Sequence, residues 1–166
     1  PPILLPVGRL FVPRAIQGEK RGRNKHLDQG GSLLEVGRAV LALQPFSVHV
    51  GAELVAFEPG KAELSVTVQP HLEQQNGFVH GGILSYLVDN ALTFAGGSVL
   101  GPNVLTQEFK VSYLRPAKGD RVVARATVVY SSKRQAVCRC DVFAVTGEDE
   151  ALCATALGTI LASAPS

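Results

Sequence analysis

The most informative stretch for the fold is HGGILSYLVDNALTFAGG, residues 80–97. Its apolar side chains recur at i, i+3 and i+4 spacing, which is the pattern of an amphipathic or buried helix. They are Ile83, Leu84, Leu87, Val88, Ala91, Leu92 and Ala95. The pattern predicts a helix that begins at His80 and is closed by the glycine pair at 96–97. Because this helix is apolar on most faces, we expect other elements to surround it.

Strand-like segments lie on both sides of this helix. A first helix is expected to begin at Ser32, which forms a capping-box signature with Glu35, and to end at Pro45. The EPGK sequence that ends at Lys61 is typical of a hairpin turn. The predicted strands are 47–57, 61–69, 104–113, 120–130, 134–146 and 151–162. Consecutive strands with short turns pair antiparallel. The sequence therefore predicts an α+β protein of hot-dog type, with a curved antiparallel sheet of about six strands wrapped around one long central helix.

Length and charge predict one folded domain with an N-terminal extension. The 166 residues suffice to bury the core of one domain. Residues 1–31 are rich in Pro and Gly and carry six basic and two acidic groups, a net charge of +4, whereas residues 32–166 carry ten and twelve, a net charge of −2. Since the basic groups lie in the extension, the domain lacks the clustered Lys and Arg of a nucleic-acid-binding face.

Other motifs exclude several classes of function. No apolar run approaches the ~20 residues of a membrane span, so no membrane partner is expected. The cysteines form no CxxC pair, and free thiols such as Cys138 and Cys140 fit a reducing cytoplasm. His49 and His71 have no Cys or carboxylate at ligand spacing, and no phosphate-binding or dinucleotide-binding motif occurs. We therefore predict no metal and no other cofactor.

The start of the central helix is a candidate site for a negatively charged oxygen. The first backbone N–H groups of a helix lack partners, and the helix dipole places partial positive charge there. Glycine allows close approach to the backbone, so the N–H of Gly81 or Gly82 is a candidate oxyanion donor. A tight loop-to-helix turn explains both glycines without a ligand and is the simpler interpretation of the spacing alone.

Asp89 is the candidate catalytic carboxylate. It lies in mid-helix, where Asp is less favourable than Ala by ~0.7 kcal/mol. On a helical wheel it belongs to a single polar stripe. That stripe contains Gly82, Ser85, Tyr86, Asp89 and Thr93. A carboxylate on a buried helix is costly unless it has partners or a function. The alternative is that the stripe faces solvent, and the residues alone favour neither interpretation.

Two segments of the chain resemble a known family. Residues 76–91, NGFVHGGILSYLVDNA, resemble the active-site segment of the hot-dog acyl-CoA thioesterases, in the group of the phenylacetate-pathway thioesterase. Residues 106–143, which contain the sequence YLRPAKGD, resemble the third to fifth strands of that group. The likeness covers roughly residues 33–162. The resemblance implies hydrolysis of an acyl-CoA thioester to the free acid and CoA.

The resemblance also implies roles for individual residues. Asp89 matches the catalytic carboxylate, which acts as general base or as nucleophile, and Gly81 matches the N–H that binds the thioester oxygen. His80 matches a histidine that helps to hold the thioester. Gln74 stands where the family often has Asn, and Thr106 stands where a Ser or Thr from the partner subunit helps to position water.

Substrate binding and assembly follow from the same resemblance. The implied substrate-binding and CoA-binding residues are Gly82, Asn76, Arg115, Pro116, Lys118, Ser132, Lys133 and Arg134. The family forms homodimers or homotetramers with sites at the subunit interface. Helix geometry agrees, because Asp89 lies ~12 Å along the axis from Gly81, and a second, antiparallel subunit would bring the two together. A hot-dog hydratase or dehydratase and a non-catalytic acyl-CoA-binding module remain alternatives, since fold does not fix function.

Overall fold

The computed structural model describes residues 32–163, so the predicted extension at residues 1–31 lies outside the described residues. Within residues 32–163 the chain forms three helices and six strands, with one turn of 3-10 helix at Pro70–Leu72. The helices are α1 (Leu33–Ala42), α2 (Pro45–Val50) and α3 (Gly81–Leu100). The strands are β1 (Ala52–Glu58), β2 (Lys61–Thr67), β3 (Val104–Tyr113), β4 (Arg121–Ser131), β5 (Gln135–Thr146) and β6 (Asp149–Ala162).

The six strands form one antiparallel sheet in the order β1-β2-β4-β5-β6-β3. The sheet curves around α3, which contacts all six strands. Side chains from both elements are fully buried between them. From α3 these include Leu87, Leu92 and Phe94, and from the strands Leu64, Val142 and Ile160. This arrangement confirms the predicted hot-dog fold.

The central helix also meets the length and composition of a membrane span. Among the described residues, Gly81–Leu100 is the one helix that does so, with 20 residues and a mean hydropathy of 1.3. Its position inside the sheet accounts for that composition, because a helix enclosed on most sides needs apolar side chains on most of its faces.

The first helix and the strand after it show one success and one error of the prediction. The capping box is confirmed: the Ser32 N–H donates to Glu35 Oε2 at 2.6 Å, and the Glu35 N–H donates to Ser32 Oγ at 3.3 Å. The strand predicted at 47–57 is wrong in its first half. Pro45 does not lead into a strand but begins α2, where a proline at the first helical position loses no hydrogen bond.

The predicted end of the central helix is also wrong. The helix continues through Gly96 to Leu100 and ends at Gly101, whose φ of 101° is unfavourable for other residues. Gly96 serves packing instead, because a Cβ at this position would lie 2.8 Å from the Cβ of Ile160 on β6. The helix can approach the sheet this closely because residue 96 has no side chain.

Candidate active site

The polar stripe of α3 lies against β3, the strand at one edge of the sheet. Ser85 Oγ lies 2.5 Å from the Tyr113 hydroxyl, and Thr93 Oγ1 lies 2.8 Å from Thr106 Oγ1. Thr93 is buried and Asp89 is half-buried. The stripe is therefore not simply a solvent-facing surface, because the side chains of Ser85, Asp89 and Thr93 are bonded to this neighbouring strand.

A β-bulge in β3 decides which side chains reach the helix. Thr106 pairs with Ile160 and Glu108 pairs with Thr159, so Gln107 is the extra residue. In a regular strand, side chains alternate between the two faces, so Thr106 and Tyr113 would point to opposite faces because one position is even and the other is odd. The extra residue shifts the alternation by one, and both side chains bond to α3.

Asp89 is oriented by a hydroxyl from β3. Thr106 Oγ1 donates to Asp89 Oδ1 at 2.7 Å. Both residues belong to the same chain, so Thr106 accompanies Asp89 into any site that Asp89 helps to form with a second subunit. The structure thus brings together two of the residues that the sequence selected, one from the helix and one from the edge strand.

The first turn of α3 contains two glycine N–H groups, and they differ in their partners. His80 caps the helix, because its Nδ1 accepts a hydrogen bond from the Gly82 N–H at 2.9 Å. Within the described part of the chain, no atom accepts from the Gly81 N–H. Of the two candidate oxyanion donors, the structure therefore leaves Gly81 available. An Nδ1 that accepts a hydrogen bond in neutral imidazole also places the ring proton on Nε2.

A groove of about 570 Å³ opens beside this helix start. Its lining includes Gln74, Asn76, Gly81, Arg115 and Pro116, which the sequence selected, together with Tyr113, which it did not. The two loops of the groove are joined by a hydrogen bond from the Val79 N–H to the Ala117 carbonyl at 2.9 Å. Gln74 Oε1 accepts from the Asn76 N–H at 2.8 Å, so the amide N–H₂ of Gln74 remains available as a donor.

The other predicted CoA-binding residues do not line this groove. Ser132 and Arg134 line a second cavity of about 380 Å³, which also includes Gln107 of the β3 bulge. Lys118 and Lys133 are exposed and line neither of these two cavities. In a single chain, the predicted CoA contacts are therefore divided between two places rather than gathered into one.

Helix α2 contributes a polar contact beside the carboxylate. Tyr86, three residues before Asp89, donates its hydroxyl hydrogen to the buried Ser47 Oγ at 2.7 Å, and Ser47 donates to Gln44 Oε1 at 2.6 Å. Burial raises the pKa of Tyr86, so the phenol remains protonated and keeps this bond. This contact does not follow from the predicted strand at 47–57, which contains residue 47, although a proline at position 45 is a known signal for a helix start.

The cysteines are poor candidates for nucleophiles. Cys138, Cys140 and Cys153 are all buried free thiols. Burial raises the pKa of Cys138 to about 11 and, together with the charge of Asp141, that of Cys140 to about 12. Thiolate is therefore scarce at neutral pH. Within residues 32–163, no group of three or more His, Cys, Asp or Glu side chains is placed to hold a metal ion.

Comparison with known proteins identifies the class. Residues 76–151 match the model of the thioesterase superfamily. A solved structure of a thioesterase family protein from Silicibacter pomeroyi is 35% identical, with a TM-score of 0.72, over 75% of this chain and 93% of that one. A mutant of the phenylacetic acid degradation protein PaaI from Thermus thermophilus is 30% identical, with a TM-score of 0.64, over 72% of this chain and 100% of that one.

A curated relative adds a named activity. The medium/long-chain acyl-CoA thioesterase YigI of Salmonella typhimurium is 26% identical over 147 residues, which cover 76% of this chain and 90% of that protein. Fold and site thus define a hot-dog protein with a carboxylate on its central helix. The chain belongs to the thioesterase superfamily, as the resemblance of its active-site segment predicted.

Proposed function

We propose that this protein hydrolyses the thioester bond of an acyl-CoA and releases the free acid and CoA. The observation that carries the proposal is the pairing, on one helix, of two groups: the Gly81 N–H, for which residues 32–163 provide no acceptor, and the carboxylate of Asp89, which Thr106 orients. These are the two groups that hydrolysis of a thioester needs, a donor for the carbonyl oxygen and a base or nucleophile. Similarity to an acyl-CoA thioesterase favours CoA as the thiol part of the substrate.

The helix start acts as the oxyanion site. The thioester carbonyl oxygen accepts a hydrogen bond from the Gly81 N–H, and the helix dipole stabilises the negative charge that develops there. His80 Nε2–H and the side-chain amide of Gln74 are further donors at the same end of the helix. The oxyanion donor on the backbone requires no side-chain movement, so its contribution is preorganised.

Asp89 activates the attack on the carbonyl carbon. As a general base, it takes a proton from water while the water oxygen bonds to the carbonyl carbon. The C–S bond then breaks, and the proton passes to the departing CoA sulfur. As a nucleophile, the Asp89 carboxylate would instead attack the carbonyl carbon and expel the CoA thiolate, which leaves a mixed anhydride. Water then hydrolyses the anhydride to the free acid and the Asp89 carboxylate, and the proton released goes to the thiolate. Thr106 holds the carboxylate in place in either case.

The site is completed by a second subunit. Asp89 lies eight residues after Gly81 on one helix, ~12 Å along the axis, which is too far for both to act on one carbonyl group. Strand β3 forms an edge of the sheet beside Asp89, with backbone groups available for pairing. A homodimer with antiparallel central helices places Asp89 of one subunit beside Gly81 of the other. A tetramer of such dimers keeps both sites.

Two subunits would also reunite the predicted CoA contacts. Arg115 lies at the groove of Gly81, whereas Ser132 and Arg134 lie near the β3 bulge beside Thr106. When Asp89 and Thr106 of one subunit meet Gly81 of the other, these two clusters approach the same substrate. The arginines and Lys118 and Lys133, which are exposed, are then available to the phosphates of CoA.

Hydrolysis of purified acyl-CoAs tests the proposal. A panel of short, long and aromatic acyl-CoAs is incubated with the protein, and release of the CoA thiol is followed. Turnover by the wild type, and its loss in the Asp89→Asn variant purified in parallel, would support the proposal and exclude a contaminating enzyme. Binding of acyl-CoA without turnover would favour a binding module, and hydration of an enoyl-CoA would favour a hydratase.

Oligomeric state is tested independently of activity. Sedimentation at micromolar protein concentration should show a dimer or a tetramer and no monomer. A stable monomer that hydrolyses acyl-CoA at the rate of the bulk sample would contradict a site shared between subunits.

A further inference from the structure

Tyr113 connects the end of β3 to the first turn of the central helix. Its hydroxyl donates to the Gly81 carbonyl oxygen at 3.0 Å and lies 2.5 Å from Ser85 Oγ. The phenol has one hydrogen, so Ser85 is the donor in the second bond. The ring lies directly beside the helix start, since a Cβ at Gly81 would be 3.5 Å from Tyr113 Cζ.

The peptide unit between Gly81 and Gly82 is consequently held at both of its polar atoms. Tyr113 bonds its carbonyl oxygen, and His80 Nδ1 bonds its N–H at 2.9 Å. The preceding peptide is held as well, because the His80 carbonyl accepts from the Ile83 N–H at 2.9 Å. Both glycines belong to α3, and because glycine has more backbone freedom than other residues, these side-chain bonds add to what the helix itself provides.

We propose that Tyr113 is a positioning residue for the reaction, a role that rests on the proposed function above. The orientation of the Gly81 N–H depends on the two peptides that flank Gly81, and Tyr113 fixes one of them from the side chain of a neighbouring strand. Tyr113 does not need to touch the substrate to act. It keeps the oxyanion donor in the direction that the developing charge requires, and small errors in such geometry are costly in rate.

The proposal predicts a defect in turnover rather than in binding. Tyr113→Phe keeps the ring beside Gly81 and removes the hydroxyl. We expect kcat to fall by about tenfold, less than the 10²–10³-fold that loss of a whole oxyanion donor costs, with KM within about twofold of the wild type. Tyr130→Phe is the matched control, because Tyr130 is exposed and makes no side-chain hydrogen bond to any residue between 32 and 163.

A spectroscopic measurement tests, without any substrate, whether Tyr113 holds the peptide between Gly81 and Gly82. With ¹⁵N-labelled glycine, the amide signals of Gly81 and Gly82 are assigned from the spectra of the two single alanine variants. Tyr113→Phe should shift both signals and speed hydrogen exchange at the Gly82 amide, whereas Tyr130→Phe should leave them unchanged. A variant that merely loses stability would instead broaden or shift signals throughout the protein.

The possible outcomes separate this inference from the proposed function. If the Gly81 and Gly82 signals are unchanged in Tyr113→Phe, Tyr113 does not hold this peptide, whatever the activity. Shifted signals with kcat within twofold of the wild type, or a loss of kcat/KM that lies entirely in KM, would overturn the positioning role. If the wild type hydrolyses none of the acyl-CoAs, the proposed function fails, and the role in that reaction fails with it. Shifted signals together with a kcat defect support the proposal.

Discussion

Thr106 Oγ1 lies 2.7 Å from Asp89 Oδ1 and 2.8 Å from Thr93 Oγ1, and it bonds to both. The single hydroxyl hydrogen of Thr106 is committed to the carboxylate, so Thr93 donates to Thr106. The three side chains thus form a directed chain of hydrogen bonds that ends on Asp89. One carboxylate oxygen is fixed by this chain, and the described residues provide no hydrogen bond to the other oxygen, Oδ2.

The hydroxyl of Thr106 should matter for turnover. Thr106→Val keeps the shape of the side chain and removes both hydrogen bonds, whereas Thr106→Ser retains the hydroxyl and serves as the control. We expect kcat of the valine variant to fall by about tenfold or more, because the base is no longer held in a productive orientation. Steady-state kinetics on the best acyl-CoA would check this. Equal activity of the two variants would show that Asp89 needs no support from β3.

Substitution of Asp89 itself should lower kcat much more than substitution of Thr106. Asp89→Asn retains size and the ability to accept from Thr106, but it removes basicity and nucleophilicity. Because general base catalysis contributes about 10²–10⁴-fold, kcat should fall within that range while KM changes little. Circular dichroism and sedimentation would verify that the variant is folded and assembled. An Asn variant within a few fold of the wild-type kcat would remove Asp89 from the mechanism.

The sequence predicted the elements better than it predicted their contacts. Periodicity located α3 and the last four strands, and the mid-helix position of Asp89 marked it as unusual. The β3 bulge at Gln107 was not predictable from the alternation of apolar and polar residues, because an extra residue shifts that alternation without a characteristic sequence. Without the bulge, no argument from the sequence places Thr106 and Tyr113 on the same face.

A further source of error was glycine. A glycine such as Gly96, late in a long apolar helix, can either end the helix or allow a strand to pack closely against it. The local sequence is the same in both cases. Only the position of Ile160 on β6, far away in the sequence, distinguishes the two cases. Long-range packing therefore decided what the local pattern left open.

The buried thiols should be unreactive in the native protein. With the pKa of Cys138 near 11 and that of Cys140 near 12, the thiolate fraction at pH 8 is about 10⁻³ and 10⁻⁴, respectively. We expect reaction with a thiol reagent at pH 8 to be far slower than that of free glutathione, and all three cysteines to react once guanidinium unfolds the chain. Rapid labelling of the native protein would show that the core opens to the reagent.

The same thiols should weaken the fold at alkaline pH. Their folded-state pKa values lie above that of an exposed thiol, ~8.5. At a pH between the unfolded-state and folded-state pKa, the folded state binds more protons than the unfolded state. The free energy of unfolding therefore falls as pH rises above about 8.5. Urea denaturation at pH 8 and pH 10 would measure this loss. In Cys140→Ala, the free energy of unfolding should fall less between pH 8 and pH 10. If it falls as much as in the wild type, groups other than Cys140 cause the loss.

Gly96→Ala should destabilise the protein although alanine is the better helix former. Helix propensity favours alanine by about 1 kcal/mol. The new Cβ would lie 2.8 Å from both Cβ and Cγ1 of Ile160, and a β-branched side chain has little rotamer freedom with which to move away. Overpacking of this kind costs about 1–3 kcal/mol, so the free energy of unfolding should decrease or, at most, remain unchanged. Gly81→Ala is the matched control on the same helix, because its Cβ would meet Tyr113 at an ordinary 3.5 Å. Urea denaturation of both variants gives the comparison, and a Gly96→Ala protein more stable than the wild type would show that α3 and β6 are not in close contact at this position.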